Sequence, residues 1–142
     1  LGSLAMPALE ASRGRLVIVS SGGMYNTNFP KWEIATSLKG KYNGNLVYAY
    51  AKRGQVLLAE QWAGRHPAVA VVAAHPGWTL TEAVDAAYGD GKKWLEPMRT
   101  PWQGAEGIAW LLACPVEKIE SGAFYLDRKP QVKHMAGPFF TE

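Results

Sequence analysis

Two short apolar runs, Leu16-Val-Ile-Val19 and Val69-Ala-Val-Val-Ala-Ala74, limit what this chain can fold into more than any other feature. A run rich in β-branched residues without polar alternation suits a strand covered on both faces, and such strands are typical of parallel sheets flanked by helices. Between the two runs lies a segment from Tyr48 to about Arg65 that reads as a helix, stopped by Gly64-Arg-His-Pro67. Strand, connection with helix, and strand again form a βαβ unit, whose crossover is almost always right-handed. The expected class is therefore α/β, with the first run as a central strand and with Val47, Ala51, Leu58, Ala59 and Trp62 near one side of the helix.

The flanking segments fit this unit. Leu1 to about Ser12 carries Leu1, Leu4, Ala5, Ala8 and Leu9 at helical spacing and closes at Ser12-Arg-Gly14, like the last turns of a helix that starts earlier. Gly22 to Asn45 is polar and punctuated, and reads as a surface excursion. Thr79 to Arg99 is aromatic and polar, interrupted by Gly89-Asp-Gly91 and Pro97, with room for helix fragments but no strand. It follows the carboxyl end of a parallel strand, where such sheets bind ligands, so it is a candidate substrate lid. Pro101 to Ala113 reads as a helix with Pro in first position, and Gly122 to Leu126 as a final strand. Asp127-Arg-Lys-Pro130 then leads into a tail ending in Phe139-Phe140. There is no internal repeat, and residues 1–142 read as a single domain.

Composition narrows the function classes. Fifteen Lys and Arg against 12 Asp and Glu give a net charge of +3 with no basic run, which does not argue for nucleic acid. The single Cys114 has no partner in the chain and suits a reducing compartment. No apolar run approaches the ~20 residues that span a bilayer, so the expectation is a cytoplasmic protein without a membrane segment. His66 and His134 are isolated, and no metal-ligand cluster is evident.

The chemistry centres on Tyr48-Ala-Tyr-Ala-Lys52. Four residues is about one helical turn, so the phenol of Tyr48 and the ammonium of Lys52 should share a face. A cation beside a phenol favours the phenolate and brings it toward the range useful for general acid/base work. The same spacing also arises from a packed Tyr beside a solvated Lys, and Ser21 alone reads better as a turn residue at a strand end. Tyr50 falls on the opposite side of the helix from Lys52 and is assigned to packing or surface. A hydrolase pairing of His75 with Ser21 is disfavoured, because a nucleophile elbow requires Gly two positions before the Ser and position 19 is Val. His75 is expected to be a polar cap on a strand end.

The order Val19-Ser-Ser21-Gly-Gly-Met, Tyr48-Ala-x-x-Lys52-Arg-x-Gln, His75-Pro-Gly-Trp78 and Asp127-Arg-Lys-Pro130 resembles the short-chain dehydrogenase/reductase family, specifically its carboxyl-terminal half. That resemblance implies a partial Rossmann-like, doubly wound parallel sheet of about three strands with flanking helices. It also implies NADP- or NAD-dependent interconversion of a small-molecule carbonyl and alcohol. Ser21 would bond the substrate oxygen and Tyr48 would be the general acid/base. Lys52 would activate that phenol and, with Tyr48, hold the nicotinamide ribose. Pro76, Gly77 and Trp78 would border the nicotinamide, and Thr81 would contact its amide or the phosphates. Pairing with a second copy of the chain stays open.

The pattern is incomplete. A Rossmann site needs a Gly-rich turn between its first strand and helix, with a charged residue some ~20 positions on to choose the cofactor. The nearest lookalike, Gly89-Asp-Gly91-Lys-Lys-Trp94, lacks the third Gly and follows no strand. The family's Asn-Asn-Ala-Gly turn is missing as well, so the phosphate-binding half is absent. Two readings follow: an oxidoreductase of this type, or a truncated, non-catalytic half-domain that acts as an interaction or regulatory module.

Overall fold

The computed structural model describes residues 1–37 and 40–135. Its centre is a four-stranded sheet in the order β1 (Arg15–Val19), β2 (Ala70–Ala74), β3 (Phe124–Leu126), β4 (Lys129–Gln131). β1 and β3 each pair in parallel with β2, and β4 pairs antiparallel with β3. The architecture is α/β, but two expectations need correction. β2, not β1, is the inner strand of the parallel set: all five of its residues are buried, whereas β1 lies at an edge of the described sheet and Val19 is exposed. An apolar run reports covered faces, and it carries no information on how many neighbours a strand has. The sheet is also not wholly parallel. Asp127 and Arg128, both at positive φ (50° and 64°), turn the chain back in a two-residue hairpin that creates β4. Hairpins of this kind usually announce themselves with Asn-Gly or Asp-Gly, and Asp-Arg gives no such signal. Pro130 is tolerated in β4 because that strand is an edge.

Helices cover both faces of the sheet. Successive β2 side chains alternate, so Val71 and Ala73 pack with Met6, Met24, Val56, Ala59 and Phe124, while Val72 and Ala74 pack with Leu111, Ala123 and Tyr125. The first cluster draws on α1 (Gly2–Ala11) and α3 (Gly44–Arg65), the second on α5 (Pro101–Ala113). A short α2 (Trp32–Ala35) lies in the excursion before α3, and α4 (Glu82–Tyr88) lies in the segment before α5. Fully burying each Val, Leu or Phe contributes about 1.5–3 kcal/mol, which makes the β2 layer the main anchor of the fold.

Helix α3 begins four residues earlier than Tyr48, at Gly44, because the Asn43 side chain accepts from the Leu46 amide at 3.1 Å and caps the helix. Its buried positions are Ala49, Arg53, Val56 and Ala59. Of the face expected from the sequence, Ala59 is buried and Trp62 packs against the core, whereas Val47, Ala51 and Leu58 are exposed. The buried face also carries a charged side chain, Arg53. It donates to Met24 Sδ at 3.1 Å, to the Lys133 carbonyl, and meets His134 Nδ1 at 2.6 Å. Burial holds its pKa below the ordinary guanidinium value, with Glu60 and Tyr25 acting in the opposite direction. Lys133 in turn pairs with Glu60 at 2.6 Å and donates to the Gly122 carbonyl, and the Tyr25 hydroxyl donates to the Val132 carbonyl. Residues 132–135 are thus fastened across α3, while the Phe139-Phe140 tail lies outside the described residues.

Helix α5 opens with a capping box: Thr100 Oγ1 accepts from Gln103 N at 3.2 Å and Gln103 Oε1 accepts from Thr100 N at 2.9 Å. At its other end Arg15 donates to the carbonyls of Leu111 and Cys114, tying β1 to the last turn of α5. Between β2 and α5 the chain forms α4 and a 3-10 stretch (Gly89–Leu95), and its base is closed by a bridge between Thr79 and Arg99.

Two glycines in helices test this packing in opposite directions. A Cβ at Gly104 would stand 2.4 Å from Thr79 Oγ1 and 3.0 Å from its Cγ2, in a buried contact, whereas a Cβ at Gly64 meets nothing within 4 Å. Gly104→Ala should lower the stability by about 1–3 kcal/mol through overpacking. Gly64→Ala should raise it by up to ~1 kcal/mol through helix propensity. Thermal or urea denaturation of the two variants measures both signs.

Candidate active site

The carboxyl ends of parallel β1 and β2 lie on the same side of the sheet, so Ser20-Ser21 and His75-Pro76-Gly77 emerge together. The two serines behave differently. Ser20 is buried and donates its hydroxyl to the Lys52 carbonyl at 2.8 Å, locking α3 to the end of β1. Ser21 Oγ accepts from the Gly23 amide at 3.1 Å, opening a 3-10 turn (Gly22–Asn26), and its own proton is not donated to any described residue.

Tyr48, half exposed, turns its ring against that turn. A Cβ at Gly23 would lie 3.2 Å from Tyr48 Cε1 and 3.5 Å from Ser21 Oγ, so the phenol ring and the serine oxygen flank one point in space. Lys52 Nζ is 5.5 Å from the centre of the Tyr48 ring and donates to the Val19 carbonyl at 3.1 Å. The helical spacing thus brings phenol and ammonium to one face, at the mouth of β1.

The second strand end is a compact turn. His75 stacks on Phe124 with centroids 5.1 Å apart and accepts at Nδ1 from the Gly77 amide at 3.2 Å, which fits a neutral ring with its proton on Nε2. Burial holds its pKa below the usual imidazole value; Arg99 pushes the same way and Asp127 opposes. The Pro76 carbonyl accepts from Thr79 Oγ1 at 3.2 Å and from Arg99 Nη1 at 3.3 Å. Gly77 has φ +74°. Trp78 is half exposed and meets Tyr88 edge to face at 5.7 Å. Thr81 is exposed and spends its hydroxyl oxygen on the Val84 amide, as the cap of α4. The Gly22 backbone links the two ends, since a Cβ there would be 3.6 Å from His75 Cε1.

Sequence reasoning gave no site role to Arg99, Asp127 or Thr79, all of which brace the Pro76-Gly77 turn. The one local signal was Asp127 itself, a turn-forming residue directly after a strand. Among the described residues no His, Cys, Asp and Glu group is arranged to hold a metal, and no helix is long and apolar enough to cross a membrane.

No protein-family model matches the chain. It is 37% identical over 142 residues to the dehydrogenase/reductase SDR family member 12 of Bos taurus, covering 95% of this chain and 43% of that protein. The Homo sapiens protein of the same name is 38% identical over 137 residues, covering 92% and 42% respectively. A solved structure described as a short chain dehydrogenase/reductase family protein superposes with a TM-score of 0.65 at 23% identity, over 88% of this chain and 48% of that one. The chain is thus similar in sequence and fold to part of short-chain dehydrogenase/reductase proteins, and spans less than half the length of the curated relatives it matches.

The depressed His75 pKa gives stability a defined pH dependence. Below the ordinary imidazole value of 6.5 the unfolded chain binds a proton that the folded chain resists. The folded state should therefore lose stability as pH falls from about 7 toward 5, and His75→Gln should flatten that slope. Urea unfolding across this pH range, with and without the substitution, measures the effect.

Proposed function

We propose that this chain carries the proton-transfer half of an NADP- or NAD-dependent oxidoreductase that interconverts small-molecule carbonyls and alcohols. The observation that carries this reading is the placement of the Tyr48 ring and Ser21 Oγ around one point, with Lys52 Nζ 5.5 Å from the ring, at the carboxyl ends of parallel strands. The residues present fit the nicotinamide-ribose end of a dinucleotide: an ammonium beside the phenol, and the Pro76-Gly77 turn at the neighbouring strand end, which would border the ring. They do not supply a pyrophosphate cradle, since among the described residues no Gly-rich turn joins a strand to a helix and Gly89–Leu95 is a 3-10 stretch.

When bound, the dinucleotide supplies or accepts the hydride at the substrate carbon. As hydride reaches a carbonyl its oxygen gains alkoxide character, and Tyr48 is placed to deliver the proton there. Ser21 keeps a hydroxyl proton to donate to the same oxygen. Lys52, turned from the Val19 carbonyl, would hold the ribose and favour the ionised phenol left after proton transfer.

Tyr48→Phe preserves the ring and deletes the hydroxyl, so in a longer form that includes the Gly-rich turn it should cut turnover by about 10²–10⁴ while cofactor affinity holds. Lys52→Met should lower both together. Steady-state kinetics on a carbonyl panel with NADPH separates the two, and a Tyr48→Phe enzyme that keeps most of its activity would refute the mechanism. The 142-residue chain alone should bind NADPH weakly or not at all, for want of the amides that hold the pyrophosphate. Fluorescence titration with NADPH checks this.

A second reading, a non-catalytic interaction module, is favoured by one observation: among the described residues β1 pairs on one side only, leaving an edge with exposed Val19. Under this reading, a polypeptide carrying the Gly-rich half of the fold should raise the Tm of the chain and co-migrate with it on gel filtration. No shift and no co-migration would remove it.

A further inference from the structure

Where residues 79–99 leave and rejoin the body of the protein, one residue, Arg99, is bonded through both its backbone and its side chain. The Arg99 amide donates to the Trp78 carbonyl at 2.8 Å, and the Arg99 carbonyl accepts from the Leu80 amide at 2.9 Å, so residue 99 closes the base of this segment. Its guanidinium reaches back to the Pro76 carbonyl and also grips Asp127 at two points, Nη1 to Oδ1 at 2.5 Å and Nη2 to Oδ2 at 2.7 Å. It lies so close to Gly77 that a Cβ there would stand 2.8 Å from Cζ and Nε. With φ at +74° as well, position 77 is closed to side chains on two grounds.

The hairpin on the other side of the pair is built around this grip. Asp127 and Arg128 both occupy left-handed backbone, where Gly or Asn would sit more easily. Each side chain is used: Asp127 on Arg99, Arg128 on Glu106 and over the Trp110 ring at 5.9 Å. Hairpin, strand-end turn and the base of the 79–99 segment are thereby joined at one ion pair. A planar guanidinium can satisfy a carboxylate and a carbonyl together, a geometry that Lys does not reproduce.

We propose that Arg99 and Asp127 are positioning residues, fixing the Pro76-Gly77 turn and the base of residues 79–99 against the β3–β4 hairpin, so that the wall of the active site is set before substrate arrives. The link to the active site rests on the function proposed above; the clamp itself does not.

His75 and the Leu80 amide are built-in reporters. His75 feels both members of the pair, Arg99 lowering its pKa and Asp127 raising it, and Leu80 is bonded to Arg99 directly. In NMR titrations of the chain, Arg99→Gln should move the His75 pKa up and Asp127→Asn should move it down. In hydrogen exchange, both should speed exchange at Leu80 several-fold while the β2 amides keep their protection. Arg99→Lys, which retains the cation and loses the fork, should leave His75 close to its original titration yet still loosen Leu80. Unchanged Leu80 exchange in folded Arg99→Gln and Asp127→Asn, or a loss of protection spread evenly through β2, would overturn the proposal. If Leu80 loosens while dinucleotide affinity of the longer form is unaltered, the clamp stands and the assignment of this turn to the nicotinamide falls.

Discussion

Strand β2 has only Ala and Val side chains and no exposed residue, so its peptide groups must find their partners inside the protein. β1 and β3 supply them, both in parallel, and parallel neighbours demand long crossovers, which here are α3 and α5. The crossovers cover the two faces that β2 cannot leave in water. The same requirement puts the chain segments that follow β1 and β2 side by side at the carboxyl end of the sheet. The location of the candidate site is therefore a consequence of keeping β2 dry, before any site residue is considered.

The finer geometry at that end depends on bonds between backbone and side chain. Ser20 bonds the Lys52 carbonyl and Lys52 bonds the Val19 carbonyl, so the helix is pinned to the strand end at Lys52. One turn earlier, Gly23 leaves room for the Tyr48 ring to approach Ser21. Each contact is local to a strand end, and together they bring Ser21, Tyr48 and Lys52 to one end of the sheet.

What could be read from the sequence is what local periodicity encodes. The two strands follow from continuous apolar runs, and the α5 helix with Pro101 at its start and the shared face of Tyr48 and Lys52 follow from helical spacing and capping. The order of the strands does not, because Leu16-Val-Ile-Val19 looks the same whether one neighbour or two lie beside it. Nor does the fourth strand, whose turn residues are Asp and Arg. The Arg99 to Asp127 pair spans 28 positions and leaves no periodic trace. Sequence reasoning accordingly reached the shared face of Tyr48 and Lys52 and missed the pairing of Arg99 with Asp127.

The contrast between Lys52 and Arg53 shows how the brace works in the core. Adjacent helix residues point about 100° apart, so one of these two cations faces the strand end and the other must enter the protein. The buried one is Arg, whose guanidinium is less strongly hydrated than an ammonium and can donate in several directions at once. It meets Met24 from the Ser21 turn, the Lys133 carbonyl and His134, so a single side chain joins the helix that bears Tyr48 to the turn that bears Ser21 and to residues 132–135. A buried cation stripped of such partners is strongly destabilising. Residues 132–135, outside any helix or strand and partly exposed, are therefore tied to α3 through Arg53 and Glu60.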